Sequence, residues 1–248
     1  MVAKLTDRTG YIRKIMPKRL ILLVWGSFTV GVLDAQSFTR TFGDMYAQDG
    51  VGVRTSANGF VVIAREFQPG QSQYAAVFHT TASNGSMIGS VNIDTPLNTF
   101  VQDVVSADDG SAIVVGSVLT PGHVDHDGLV VKLAASGGTV WRTMPDLPGS
   151  QQYMAGVLLP DGGIAVCGLE NSGTGHRALV VRFGADGAVL WSHSAESPTE
   201  AEAYGIAVEG NDLLITGRQV NFSGNADVLL MRMDLSGTLL WSQARGAS

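Results

Sequence analysis

Four glycines, Gly85, Gly137, Gly187 and Gly237, stand 52, 50 and 50 residues apart, and four residues after them come Gly89, Trp141, Trp191 and Trp241. A period of this length constrains the fold more tightly than any composition, because each copy has to build the same supersecondary unit. The remaining tryptophan, Trp25, lies in the N-terminal leader, so every tryptophan beyond the leader occupies one repeat position. A sentence such as Val180 to Trp191 reads as two short apolar strands joined by a tight Asp186-Gly187 turn.

A second marker lies upstream. Ala64, Gly116, Gly168 and Gly217 end the apolar runs Phe60 to Ile63, Ala112 to Val115, Ile164 to Cys167 and Leu213 to Thr216. Each run follows a turn rich in Asn, Asp and Gly, residues that tolerate positive φ. Twelve residues before the marker stand Gly52, Val104, Gly156 and Gly205, read here as one innermost-strand position. Each unit therefore holds four strands, in the third copy near Ala155–Leu159, Ile164–Gly168, Ala178–Phe183 and Ala188–His193. No helical apolar period runs through the repeats. Four-stranded units of about 40 to 50 residues predict an all-β protein, a β-propeller or an open propeller arc of antiparallel blades. Central strands sandwiched by neighbouring blades lose strict alternation, as these runs do. The tryptophan is expected to fill the wider gap between blades.

The same register reaches the N-terminus. Phe38 precedes Gly52 by the 14 residues that separate Trp191 from Gly205, so residues 36–43 are expected to form an orphan outer strand, followed by blades over about 44–93, 94–145, 146–195 and 196–248. No segment supplies three strands to complete the orphan. The chain is expected to be a fragment of a longer propeller or to close imperfectly, with open edges available for self-association. On these lines (Ala203 to Val208, Leu213 to Gly217, Asp227 to Met233, Ser236 to Trp241) the chain resembles the roughly 50-residue propeller repeats of large secreted bacterial proteins, often exported by the type IX route. The resemblance spans Phe38 to Ser248 and implies a fold and a secreted location, with no shared activity. The sorting domain usual in such proteins is not found, in keeping with truncation. The Asp186 to Trp191 segment also resembles the docking repeat of pyrroloquinoline-quinone propellers. Those need about eight blades and a dedicated cofactor site, whose residues are missing here, so no cofactor is expected.

Residues 1–35 read as a signal peptide. Lys14, Lys18 and Arg19 precede an apolar stretch from Leu20 to Leu33, and Ala35 ends it. About 14 residues is short of the roughly 20 a membrane span needs. Met16 is an alternative start, and a buried N-terminal helix the alternative reading. The leader holds six of the 16 basic and two of the 22 acidic residues, which leaves a mature chain of net charge −10 with Lys132 its only lysine. Such a chain offers no basic stripe for phosphates, so nucleic acid is excluded as an expected partner. The location expected is secreted or on the outer cell surface, with the periplasm as an alternative. Cys167, the single cysteine, has no disulfide partner and reads as a buried strand residue.

Chemistry is sparse. His123, Asp125, His126 and Asp127 gather two imidazoles and two carboxylates within five residues, a weak candidate for a divalent metal. They fall between second and third strands, where a solvated loop tip is the plainer reading, and Asp127 matches Asp227 at a strand start. The Asp-Gly turns lack an EF-hand ligand series. No nucleophile elbow, phosphate loop or His-Glu-x-x-His pair occurs, and Glu196, Glu200, Glu202 and Glu209 read as a solvated acidic surface. No catalytic residue is assigned. The leading expectation is a non-catalytic interaction or structural module whose partner is a protein or polysaccharide. A polysaccharide-acting hydrolase or lyase is the alternative, and a quinoprotein-like assembly scaffold the third. Catalysis predicts ionisable side chains from different blades meeting at one mouth of the axis, where the repeats disagree.

Overall fold

The computed structural model describes residues 19–21, 32–34, 41 and 47–248, apart from 57, 69–72, 94–97, 108, 121, 172, 174, 196–198 and 247–248. The chain divides into two units, Met1–Thr39 and Arg40–Ser248. In the first, β1 (Arg19–Ile21) and β2 (Val32–Asp34) pair antiparallel, Leu20 opposite Leu33. The rest of the expected signal peptide lies outside the described residues, as does the orphan strand over 36–43 except Thr41.

The second unit is four antiparallel meanders. Blade 1 runs β3 (Gln48–Ser56), β4 (Gly59–Gln68), β5 (Gln73–Ala82), β6 (Met87–Ile93). Blade 2 runs β7 (Asn98–Ser106), β8 (Ala112–Leu119), β9 (His126–Leu133), β10 (Thr139–Thr143). Blade 3 runs β11 (Ser150–Leu158), β12 (Ile164–Asn171), β13 (His176–Phe183), β14 (Val189–Ser194). Blade 4 runs β15 (Ala201–Glu209), β16 (Asp212–Val220), β17 (Ala226–Asp234), β18 (Leu239–Arg245). Within each sheet the strands lie in chain order, and the described residues contain no helix. The propeller architecture read from the repeat is the observed one.

A bulge in the inner strand explains the second marker. In all four blades the register slips by one residue, at Val51, Gln102, Met154 and Tyr204. Just before each slip, Gly50, Val101, Tyr153 and Ala203 pair with Ala64, Gly116, Gly168 and Gly217. A bulge bends its strand toward the neighbour. A side chain at Gly116, Gly168 or Gly217 would overlap the carbonyl of Phe100, Gln152 or Glu202. The glycines twelve residues upstream, in contrast, are not one position. Gly52 and Gly205 directly follow the bulge, with Asp103 and Ala155 in their place in blades 2 and 3, and Gly156 sits one residue further on, level with Val104. The first hairpin causes the offset. Two residues link Ser56 to Gly59 and Glu209 to Asp212, whereas Ser106–Ala112 and Leu158–Ile164 close through a longer turn.

Blades stack by laying the inner strand of one across the face of the one before: β7 against β3 to β5, β11 against β7 to β9, β15 against β11 to β13. Three apolar cores result. The first joins Ile63, Phe78 and Ile93 to Val114, Leu129 and Val131, and the second joins Val115 and Val130 to Ile164, Val181 and Phe183. The third joins Cys167 and Val180 to Leu213, Ile215 and Met231. Each such side chain stabilises the fold by about 1.5–3 kcal/mol when fully buried. Blades 2 and 3 are covered on both faces, so β8, β9, β12 and β13 are buried almost without alternation. In blade 4 alternation returns. Leu213, Ile215, Met231 and Met233 are buried against blade 3, while Thr216, Val228 and Leu230 are exposed. Among the described residues no core joins blade 4 to blade 1, and the arc is open.

Candidate functional site

The tryptophan and the glycine of the repeat meet across blades. Gly187 closes its turn by donating to the Gly184 carbonyl at 2.9 Å, in a left-handed conformation at φ 83. Lacking a side chain, it also seats the indole of Trp141 from blade 2, and a Cβ there would lie 2.7 Å from the ring. Trp141 Nε1 donates to the Ala185 carbonyl in the same turn at 3.0 Å. Blade 3 repeats the device on blade 4: Trp191 lies against Gly237 and donates to Leu235 O at 3.1 Å. Blade 1 has Gly89 at the tryptophan position, and Phe78 and Val91 cover Gly137 instead. The expectation that tryptophan fills the gap between blades holds, and a hydrogen bond is added to it.

The metal candidates do not converge on one point. His126 opens β9; its backbone N–H donates to Ser150 Oγ of blade 3 at 2.9 Å, and its ring lies 5.1 Å from Phe100 with Nδ1 3.3 Å from Ser117 Oγ. Asp127 pairs with Val118 in the ladder, while His123 and Asp125 are exposed before the strand. Among the described residues no three His, Cys, Asp or Glu side chains gather to hold a metal ion. Cys167 is buried, and burial pushes its thiol up to about 12, which keeps it protonated and unreactive.

Ionisable side chains from two blades do meet at the end of the arc where the inner strands begin. Glu202 of β15, expected on a solvated surface, is only 6% exposed. It accepts from Arg218 Nε at 3.1 Å and Nη2 at 2.9 Å, from the Tyr204 hydroxyl, and it lies 2.6 Å from His176 Nδ1 of blade 3. Sequence reasoning missed this because the partners of Glu202 come from the bulge residue Tyr204, from Arg218 on the neighbouring strand and from His176 of the preceding blade. Hydrogen bonds from Arg218 hold Glu202 down to about 2 against the burial that opposes them. Tyr204 is raised by burial and by the adjacent carboxylate, so its phenol stays protonated. A permanently ionised carboxylate with its lone pairs taken is a poor proton donor or acceptor at neutral pH. The group is a latch between blades. Blades 1 and 2 carry related latches, Tyr74 N to Asn98 Oδ1 at 3.0 Å and the His126–Ser150 bond. Nearer the middle of the inner strands, Asp103 accepts from Arg54 of blade 1 at 3.3 Å and from Gly156 N of blade 3 at 3.1 Å.

A cleft of about 760 Å³ lies between hairpins of blades 1 and 2, lined by Thr55, Ser56, Thr80, Thr81 and Ser106, with Asp109 the one ionisable residue among the described lining. Thr81 spends its hydroxyl on Phe60 O at 3.3 Å.

The outer face of blade 4 is left uncovered. Its counterpart on blade 3, formed by Ala165, Cys167, Ala178 and Val180, is buried under blade 4. The same ladder positions in blade 4 are Leu214, Thr216, Val228 and Leu230. Val228 is 52% exposed, Leu230 39% and Trp241 41%. Arg182 donates both to Asp161 of its own blade and to Leu235 O of the next, whereas Arg232 at the same place pairs with Asp212 at 2.7 Å within its own sheet.

No family model matches the sequence, and no curated protein matches it significantly. Among proteins of known structure the chain is similar to a candidate glycoside hydrolase of Parabacteroides distasonis, at 9% identity over 81% of this chain and 73% of that one, with a TM-score of 0.43. It is also similar to the subtype N11 neuraminidase-like protein of A/flat-faced bat/Peru/033/2010 (H18N11), at 12% identity over 84% of this chain and 68% of that one, with a TM-score of 0.47. A eukaryotic initiation factor gives 10% identity over 77% of this chain and 50% of its own length, TM-score 0.42.

Proposed function

We propose that this chain is a non-catalytic interaction module of the propeller class that works outside the cell and binds through the open face of blade 4. The observation that carries the reading is the internal comparison: Ala178 and Val180 are buried in blade 3, while Val228 and Leu230 at the same positions are exposed in blade 4. Exposed apolar surface of this kind marks association sites. The basic and apolar leader, Lys14 to Leu33, supports the extracellular location. Leu230→Cys tests the open face, because Cys167 is buried and unreactive and the new thiol is the only one a reagent can reach. In dilute, monomeric protein it is expected to react at a rate close to that of a free thiol. A thiol protected within the monomer would mean that the face is closed inside the chain, and the reading fails. Sugar release from a polysaccharide that Glu202→Gln abolishes would replace it with the hydrolase reading.

A further inference from the structure

We infer that the open face of blade 4 binds a second copy of this chain through a two-fold axis parallel to the strands. The inference rests on the interaction-module reading and adds the identity of the partner and the geometry of the contact.

The register of blade 4 defines the face. Three rows cross it from inner to outer strand: Glu202, Arg218, Val228, Arg245; then Gly205, Thr216, Leu230, Gln243; then Ala207, Leu214, Arg232, Trp241. The inner column is acidic or small and the outer column basic or large. A two-fold axis lying between two such faces, along the strands, sets each inner column against the partner's outer column at the same level. Arg245 then meets the acidic end of the inner column at Glu200, which is 49% exposed and lies 3.7 Å from Arg218. Trp241 meets the hollow over Ala207, and the exposed Leu230 and Thr216 cover each other. The other arginines carry their own counter-ions, Arg218 with Glu202 and Arg232 with Asp212, so face-to-face approach brings no unscreened like charges together. Arg245 bonds to Gln243 at 3.0 Å, has no carboxylate partner among the described residues, and gains one in the dimer.

A head-to-tail arrangement is disfavoured by the same repeat. It would need a free glycine turn to receive Trp241. Gly137 lies under Phe78, Gly187 under Trp141 and Gly237 under Trp191, and Gly85 is buried. With every seat covered, self-association is isologous and closes at two copies instead of growing into a filament.

Light scattering across a concentration series of the whole chain tests this. The wild-type chain is expected to reach twice its monomer mass at tens of micromolar, and Leu230→Asp and Trp241→Ala to remain monomeric, with circular dichroism and, in dilute monomer, an unfolding midpoint unchanged from wild type. Arg245→Glu should weaken dimerisation about tenfold, and Arg245→Glu with Glu200→Arg should restore it. A wild-type chain that stays monomeric at about 100 micromolar overturns the inference, as does a larger open-ended oligomer, a dimer indifferent to Leu230→Asp, or a double charge swap that rescues nothing. Labelling of Leu230→Cys in the dilute monomer separates the two failures: a reactive thiol in a chain that never dimerises leaves the open face standing and removes only the second copy as its partner.

Discussion

At the scale of single residues, glycine does two unrelated things in this repeat. In the outer turn Gly187 supplies a left-handed backbone and a flat seat for a neighbour's indole. At the bulge Gly168 supplies nothing but absence, since any side chain would overlap the Gln152 carbonyl. Overpacking of this sort costs about 1–3 kcal/mol. Gly168→Ala is therefore expected to lower unfolding stability by that amount in urea titrations. Gly50→Ala, which faces open space, should change it by less than about 1 kcal/mol. Equal effects would remove the bulge as the reason for the marker. The carboxylate of Glu202 belongs to this scale too, for its burial was invisible in a run of glutamates that includes exposed Glu200 and Glu209.

The element that matters is the outer hairpin, because it makes the contact between blades. Its tryptophan offers an internal control, the same residue at the same repeat position with and without a following blade. Trp191→Ala is expected to destabilise by about 3 kcal/mol, toward the lower end for a truncated core aromatic because the ring is half-buried. Trp191→Phe should lose roughly the 1 kcal/mol of one hydrogen bond. Trp241→Ala, measured in dilute monomer, should fall within about 0.5 kcal/mol of wild type. Thermal unfolding of the three variants checks the series, and a Trp241→Ala loss as large as that of Trp191→Ala would contradict an open face. Much of this element was legible in advance. Asp186-Gly187 announces a turn and Val180 to Phe183 a buried strand, since both follow from local conformational preference and apolar periodicity. That Trp141 bonds to Ala185, 44 residues away, was not legible, because the partner lies in the next repeat and no local rule names it. The loop motif fared differently: His126 has its N–H taken by Ser150 and its ring set against Phe100, a division that depends on where the next blade lands.

For the whole molecule, stability rests on contacts between blades, and the Glu202 latch between blades 3 and 4 makes one of them sensitive to acid. Its carboxyl titrates at about 2 in the fold against an ordinary 4.5. A depressed acid contributes its full stability above about pH 4.5 and loses it as pH falls toward 2. Glu202→Gln should thus cost about 1.5–3 kcal/mol near neutral pH, the range for charge-assisted hydrogen bonds. The gap from wild type should narrow steadily below about pH 4; a gap unchanged down to about pH 2.5 would show that the ion pair contributes nothing. The repeat period, the turn residues and the apolar runs by themselves determined an all-β chain of four four-stranded units, because hairpins and strand pairing are local and each copy restates them. Only the tertiary structure decided which glycines are equivalent, which glutamate is buried and which face of the last blade is left uncovered. Those depend on a one-residue bulge and on which blade stands next, and neither is written in any single repeat.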